Sequence, residues 1–156
     1  MNKRNSIYFS ALILLFLVVF SMFTVQKQES SSGVENVSAQ KAKELIEKGD
    51  VLVLDVRTPA EFNLSHIEGA TLIPVSNAFG SNLSPGYLLK ARINEVPKNK
   101  KILVYCKTGG RSVEASTLLL KAGYQVYNMK RGISSWTNAG YPVVSPETRE
   151  TDDSSD

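Results

Sequence analysis

The chain has 156 residues, 42% of them hydrophobic and 21% charged, with a formal net charge of +3; that gives one domain with one core and excludes both a wholly disordered chain and a two-domain enzyme. One cysteine, Cys106, and one histidine, His66, exclude an intrachain disulfide framework, a Cys-rich zinc site, a His-rich metal site and a self-contained CxxC redox motif, and the chemistry read below calls for no cofactor. The basic excess lies in the middle of the chain without a dense Lys/Arg stripe, which favours small anions and argues against nucleic acid as a partner.

Ile7 to Val25 is an uncharged run, IYFSALILLFLVVFSMFTV. As a helix it would be about 28 Å long, close to the ~30 Å hydrocarbon thickness of a bilayer. Lys3 and Arg4 precede it, so the positive-inside tendency holds the N-terminus in the cytoplasm and places the rest outside. Residues 1–25 are therefore read as a membrane anchor in the lipid bilayer. The alternative is a signal peptide cleaved to release a secreted domain. Its small-x-small site is poorly met, since Ser21-Met22-Phe23 would put a large residue at the cut. Residues 26–36 are polar and Ser-rich, the composition of a flexible linker. The acidic segment 146–156 (PETRETDDSSD) is expected to be a disordered, solvated tail, which leaves 37–145 for the domain.

Within that span, Ser38 can cap a helix running to about Lys48, closed by Gly49. VLVLD (51–55) reads as a strand buried on both faces. Thr58-Pro59-Ala60-Glu61 is a capping box with proline at the first helical position, so a short helix follows. Ala70 to Pro74 reads as a second strand and Leu83 to Val96 as a weaker helical pattern. ILVY (102–105) is another buried strand, Arg111 to Ala122 a strong helix, Gln125 to Asn128 a further strand, and Ile133 to Ala139 a short helix. Strands alternating with helices predict an α/β fold with a mainly parallel central sheet flanked by helices. Ligands in such sheets bind beyond the carboxyl ends of the strands. Two of those ends carry chemistry: Asp55-Val56-Arg57, and Cys106 with the loop after it.

Cys106 stands where a buried strand turns into a helix. Gly109 and Gly110 permit a tight turn, whose successive N–H groups can form an anion-holding nest. The helix N-terminus adds partial positive charge, and Lys107 and Arg111 add full charges. Each effect favours thiolate over thiol, so no general base is required. A nucleophile ringed by N–H donors suits transfer of a negatively charged group, phosphate or sulfane sulfur. A Cys-x5-Arg phosphatase loop would need arginine at 112, where this chain has Ser112. Arginine comes one residue early, and the smaller cradle suits one sulfur atom better than a tetrahedral phosphate.

Four ordered blocks, VLVLDVRTPAEF (51–62), SHIEGATLIP (65–74), ILVYCKTGGRS (102–112) and LLLKAGYQVYNMKRGISSW (118–136), resemble single-domain rhodaneses (thiosulfate sulfurtransferases) from about Val37 to Val144. The resemblance implies a parallel sheet flanked by helices. It implies that Cys106 carries a sulfane sulfur as a persulfide, taken from a small anionic donor (thiosulfate, polysulfide or persulfide). The acceptor would be a thiol, cyanide or sulfite. Lys107, Thr108, Gly109, Gly110 and Arg111 would complete the active loop and donate N–H groups to the persulfide. Asp55 and Arg57 would brace the site, and Trp136 would be core. Lys107 stands where the family commonly has arginine, which removes a bidentate grip on a sulfonate.

Other residues take plainer roles. His66 is expected to be a hydrogen-bonded structural residue more than a proton shuttle. Arg57 and Glu61 read as ion-pair members. Lys98 to Lys101 reads as a solvated loop, and Tyr124, Tyr127 and Tyr141 as packing. A non-catalytic module that binds an anion or a partner is the main rival to a sulfurtransferase.

Overall fold

The computed structural model describes residues 33–78 and 80–146. The apolar run 7–25 and the acidic tail after Pro146 lie outside the described residues. Among the described residues, no helix is long and apolar enough to cross a membrane.

Five strands form one sheet: β1 (Val34–Val37), β2 (Val51–Asp55), β3 (Thr71–Leu72), β4 (Lys101–Tyr105) and β5 (Val126–Met129). Their order is β1-β5-β4-β2-β3, and every pairing is parallel. The helices are α1 (Ala39–Glu47), α2 (Pro59–Leu64), α3 (Leu89–Arg92), α4 (Gly110–Lys121) and α5 (Gly132–Asn138). The expected α/β architecture is thus the observed one. β2 and β4 are central because their runs are apolar on both faces, as a doubly covered parallel strand requires. On one face Leu54, Val104, Ala115 and Leu119 pack with Leu89, Val96 and Tyr124. On the other, Val53, Leu103 and Tyr105 pack with Ala42, Leu45, Ile133 and Trp136. Trp136 is core, as expected.

Local signals set the helix starts. The Ser38 hydroxyl accepts from the Lys41 N–H at 3.1 Å. Thr58 and Glu61 form both halves of the capping box. Three expectations are corrected. The linker does not reach residue 36: β1 begins at Val34 and pairs with β5 along its whole length. The second strand shrinks to two residues. The pattern over 83–96 is broken into the short turns Pro85–Tyr87 and Ile93–Glu95 around one turn of α3, because proline and glycine at 85 and 86 interrupt the helix.

Candidate functional site

The site is built where two central strands end side by side. Asp55 and Tyr105 are register partners, and the Val56 N–H donates to the Tyr105 carbonyl at 3.1 Å. Asp55-Val56-Arg57 and Cys106 therefore leave the sheet together.

Cys106 is 1% exposed. The Gly109 N–H donates to its Sγ at 3.1 Å. Gly109 holds a φ of +110°, which a residue with a Cβ adopts only with strain. The loop's other peptides are oriented by α5. The Ile133 N–H donates to the Cys106 carbonyl at 2.8 Å, and the Ser134 N–H to the Lys107 carbonyl at 3.1 Å. The Ser134 hydroxyl reinforces the latter at 2.9 Å. In a trans peptide the N–H points opposite to the carbonyl. The N–H groups of Lys107 and Thr108 are thus turned away from α5. At the far end, Gly109 offers its carbonyl to the Val113 N–H at 3.2 Å and to the Ser112 hydroxyl at 2.9 Å. That turns the Gly110 N–H outward from the start of α4. Ser112, in the position that counted against a phosphatase loop, is buried and closes the turn.

Gly132 makes the docking of α5 possible. A Cβ there would lie 2.1 Å from the Cys106 carbonyl oxygen and 2.8 Å from that of Lys107.

Two arginines beside the loop are matched to carboxylates. Arg57, 4% exposed, donates from Nε and Nη2 to Asp55 at 2.9 and 2.6 Å, and from Nη2 to the Ser65 carbonyl at 2.6 Å. Burial disfavours its charge, but the bonds to Asp55 outweigh this and raise its pKa. Arg111 grips Glu61 in a fork, Nη1 and Nη2 each donating at 2.7 Å. Glu61 Oε2 also accepts from the Thr58 N–H and hydroxyl at 3.1 Å each. Burial pushes the Glu61 pKa up, but the hydrogen bonds from Arg111 and Thr58 prevail and lower it to about 2. Arg57 and Glu61 are both ion-paired, as expected, yet with other partners and not with each other. Beneath them Tyr105 accepts from the Ile67 N–H at 3.2 Å. Burial, with the Asp55 charge second, pushes its phenol up and keeps it neutral.

A cleft of about 230 Å³ opens beside the loop, walled by Arg57, Glu61, Leu64, Ser65, Lys107 and Ile133 among others. His66 is engaged by its own neighbours. Its Nδ1 lies 2.9 Å from the Phe62 carbonyl, its ring stacks on Phe62 at 3.7 Å, and its backbone bridges Val144, which is a structural role. Two contributors were missed in the sequence: Glu61 as the partner of Arg111, and the Gly132-Ile133-Ser134 backbone as the support of the loop. Glu61 lies 50 residues from Arg111, so no local pattern announces the pair. The Arg131-Gly132 step before a short helix was the available signal for the second.

The family model of the rhodanese-like domain matches residues 38–139. The chain belongs to the rhodanese-like family. A protein named sulfurtransferase from Allochromatium vinosum is 35% identical over 107 residues, covering 68% of this chain and 90% of the relative. The chloroplastic thiosulfate sulfurtransferase 16 of Arabidopsis thaliana is 37% identical over 118 residues, covering 74% and 97%. The crystal structure of a rhodanese-related protein from Thermoplasma volcanium superposes with a TM-score of 0.60 at 31% identity, covering 70% of this chain and 97% of that one. These rhodanese-like relatives support sulfur transfer as the general chemistry of this chain.

Proposed function

We propose that the domain is a sulfurtransferase in which Cys106 carries the sulfur. Sγ attacks the sulfane sulfur of a donor such as thiosulfate, a polysulfide or a persulfide. A new S–S bond forms, and the bond to the donor's remaining group breaks with its electron pair. The outer sulfur of the resulting persulfide sits among the amide hydrogens of the loop Lys107, Thr108, Gly109, Gly110 and Arg111. A thiol, cyanide or sulfite then attacks that outer sulfur, and Sγ departs as thiolate. No net oxidation occurs, because the transferred atom keeps its oxidation state. The observation that carries this reading is the Gly109 N–H on Cys106 Sγ, at a turn whose carbonyls face α5. Such amides stabilise negative charge on sulfur without a basic side chain. The pair Asp55–Arg57 braces the turn.

The test is intact-mass measurement after exposure to thiosulfate or polysulfide. Wild-type protein is expected to gain the mass of one sulfur atom, removable by a thiol, and Cys106→Ser to gain none. An equal gain in the variant, or none in the wild type, would refute a sulfur-carrying Cys106. No gain together with tight anion or partner binding is the outcome a non-catalytic module requires.

We propose separately that the domain lies outside the cytoplasm, tethered to a bilayer through residues 7–25. Its support is the uncharged length of that run and the two cations before it.

A further inference from the structure

We infer that the cleft beside the loop is shaped to take sulfur from a small organic persulfide in preference to a compact inorganic dianion such as thiosulfate. The inference rests on the sulfur-transfer reading and adds the class of donor.

The first ground is charge. A dianion stripped of water requires more than one cation to answer it. Among the described residues, the cleft wall carries two cations, Arg57 and Lys107, and Arg111 stands at the end of the loop. Arg57 is held by Asp55 through Nε and Nη2. Arg111 is held by both oxygens of Glu61. The other cation of the wall is Lys107, and lysine offers a point charge with no planar fork for a sulfonate. Glu61 itself faces the cleft, and its pair with Arg111 adds no net positive charge there.

The second ground is the wall. Leu64 is 80% exposed at the end of α2 and forms part of the cleft together with Ile133. An exposed leucine is unremarkable alone. Here it borders a cleft next to the loop, where a carbon body would cover it. The volume of about 230 Å³ exceeds what a single sulfur needs and falls below that of drug-sized sites. It fits a body of a few heavy atoms.

The step balances. Cys106 thiolate attacks the outer sulfur of RS–SH. The Sγ–S bond forms, and the S–S bond to R breaks. RS⁻ leaves with the electron pair and takes up the proton that the new persulfide releases, so nothing is oxidised or reduced overall.

Organic persulfides are intrinsically the more reactive donors, so the test compares variants within each donor. Rates of sulfur loading onto the full chain would be followed by mass with cysteine hydropersulfide and with thiosulfate at fixed ionic strength. Leu64→Ser removes apolar wall and should slow loading from cysteine hydropersulfide about threefold to fivefold, leaving thiosulfate unchanged. Glu61→Gln breaks the ion pair and releases Arg111 as a further cation beside the cleft, and should speed loading from thiosulfate about tenfold without speeding the organic donor. Equal effects of Leu64→Ser on both donors would overturn the inference. So would a Glu61→Gln protein, folded by circular dichroism, that gains nothing with thiosulfate. If Glu61→Gln does not fold, Leu64→Ser decides alone. Loading by neither donor in the wild type would instead refute the sulfur-transfer reading.

Discussion

Glu61 joins three tasks in one carboxylate. It completes the α2 capping box, fixes Arg111 at the end of the loop after Cys106, and faces the cleft. Its side chain is 14% exposed, so solvent screens the pair little compared with a surface bridge. The depression from 4.5 to about 2 makes it a stability group with a defined pH window. The folded pKa lies below the unfolded one, so the contribution is fully present above the unfolded value. It is lost as pH falls towards the folded value. Its upper bound is about 3 kcal/mol. Urea unfolding of wild type and Glu61→Gln is therefore expected to show the full gap at pH 7. That gap should narrow by more than half by about pH 3. A gap independent of pH would mean that Glu61 contributes through packing and capping, without its charge.

At the scale of elements, the decisive contact is α5 against the loop after β4. Two carbonyls of the loop accept N–H groups from the first turn of α5, and this aims the loop's N–H groups the other way. Gly132 lets the two backbones meet. Gly132→Ala forces a Cβ to 2.1 Å from the Cys106 carbonyl, where only backbone movement relieves the clash. The expected cost is about 2–4 kcal/mol, with sulfur loading lost even where the protein still folds. Gly140 is the control: its φ is also positive, at +75°, but a Cβ there meets nothing within 4 Å. Gly140→Ala should cost about 1 kcal/mol and leave loading intact, as measured by thermal unfolding and intact mass. Equal losses at both sites would mean that backbone conformation, and not the approach of α5, matters at Gly132.

This contact also explains what was legible beforehand. The buried strands, the capping box at Thr58 and the cysteine at a strand end follow from neighbours in sequence, so VLVLD and ILVYC could be read directly. Docking of α5 and the Arg111–Glu61 pair depend on residues brought together by the sheet order β1-β5-β4-β2-β3, which no local period encodes. β1 was missed for a related reason. Val34–Val37 is a strand because β5 offers an edge to pair with, and VENV alone is too polar to announce one.

For the whole molecule, the question is where such a loop works. A cysteine that reacts with sulfane sulfur also reacts with oxidants and disulfides, and an extracytoplasmic compartment supplies both. Burial of Cys106 to 1% exposure limits contact with large disulfides, while the cleft reaches the loop at the next residue, Lys107. A domain proposed to sit outside the cytoplasm is thus partly shielded by its own fold. The proposed tether makes a separate prediction. Full-length protein expressed in bacterial cells should sediment with membranes, resist extraction by high salt and dissolve in detergent. An uncleaved anchor leaves residues 1–25 on the isolated protein, detectable by intact mass. External protease acting on spheroplasts should digest the domain if it lies outside and spare it if it lies inside. Recovery in the soluble fraction with residues 1–25 still attached would overturn the anchor. Soluble recovery without them would replace it with a cleaved signal, in which case the domain is released and the cleft must meet its donor away from the membrane surface.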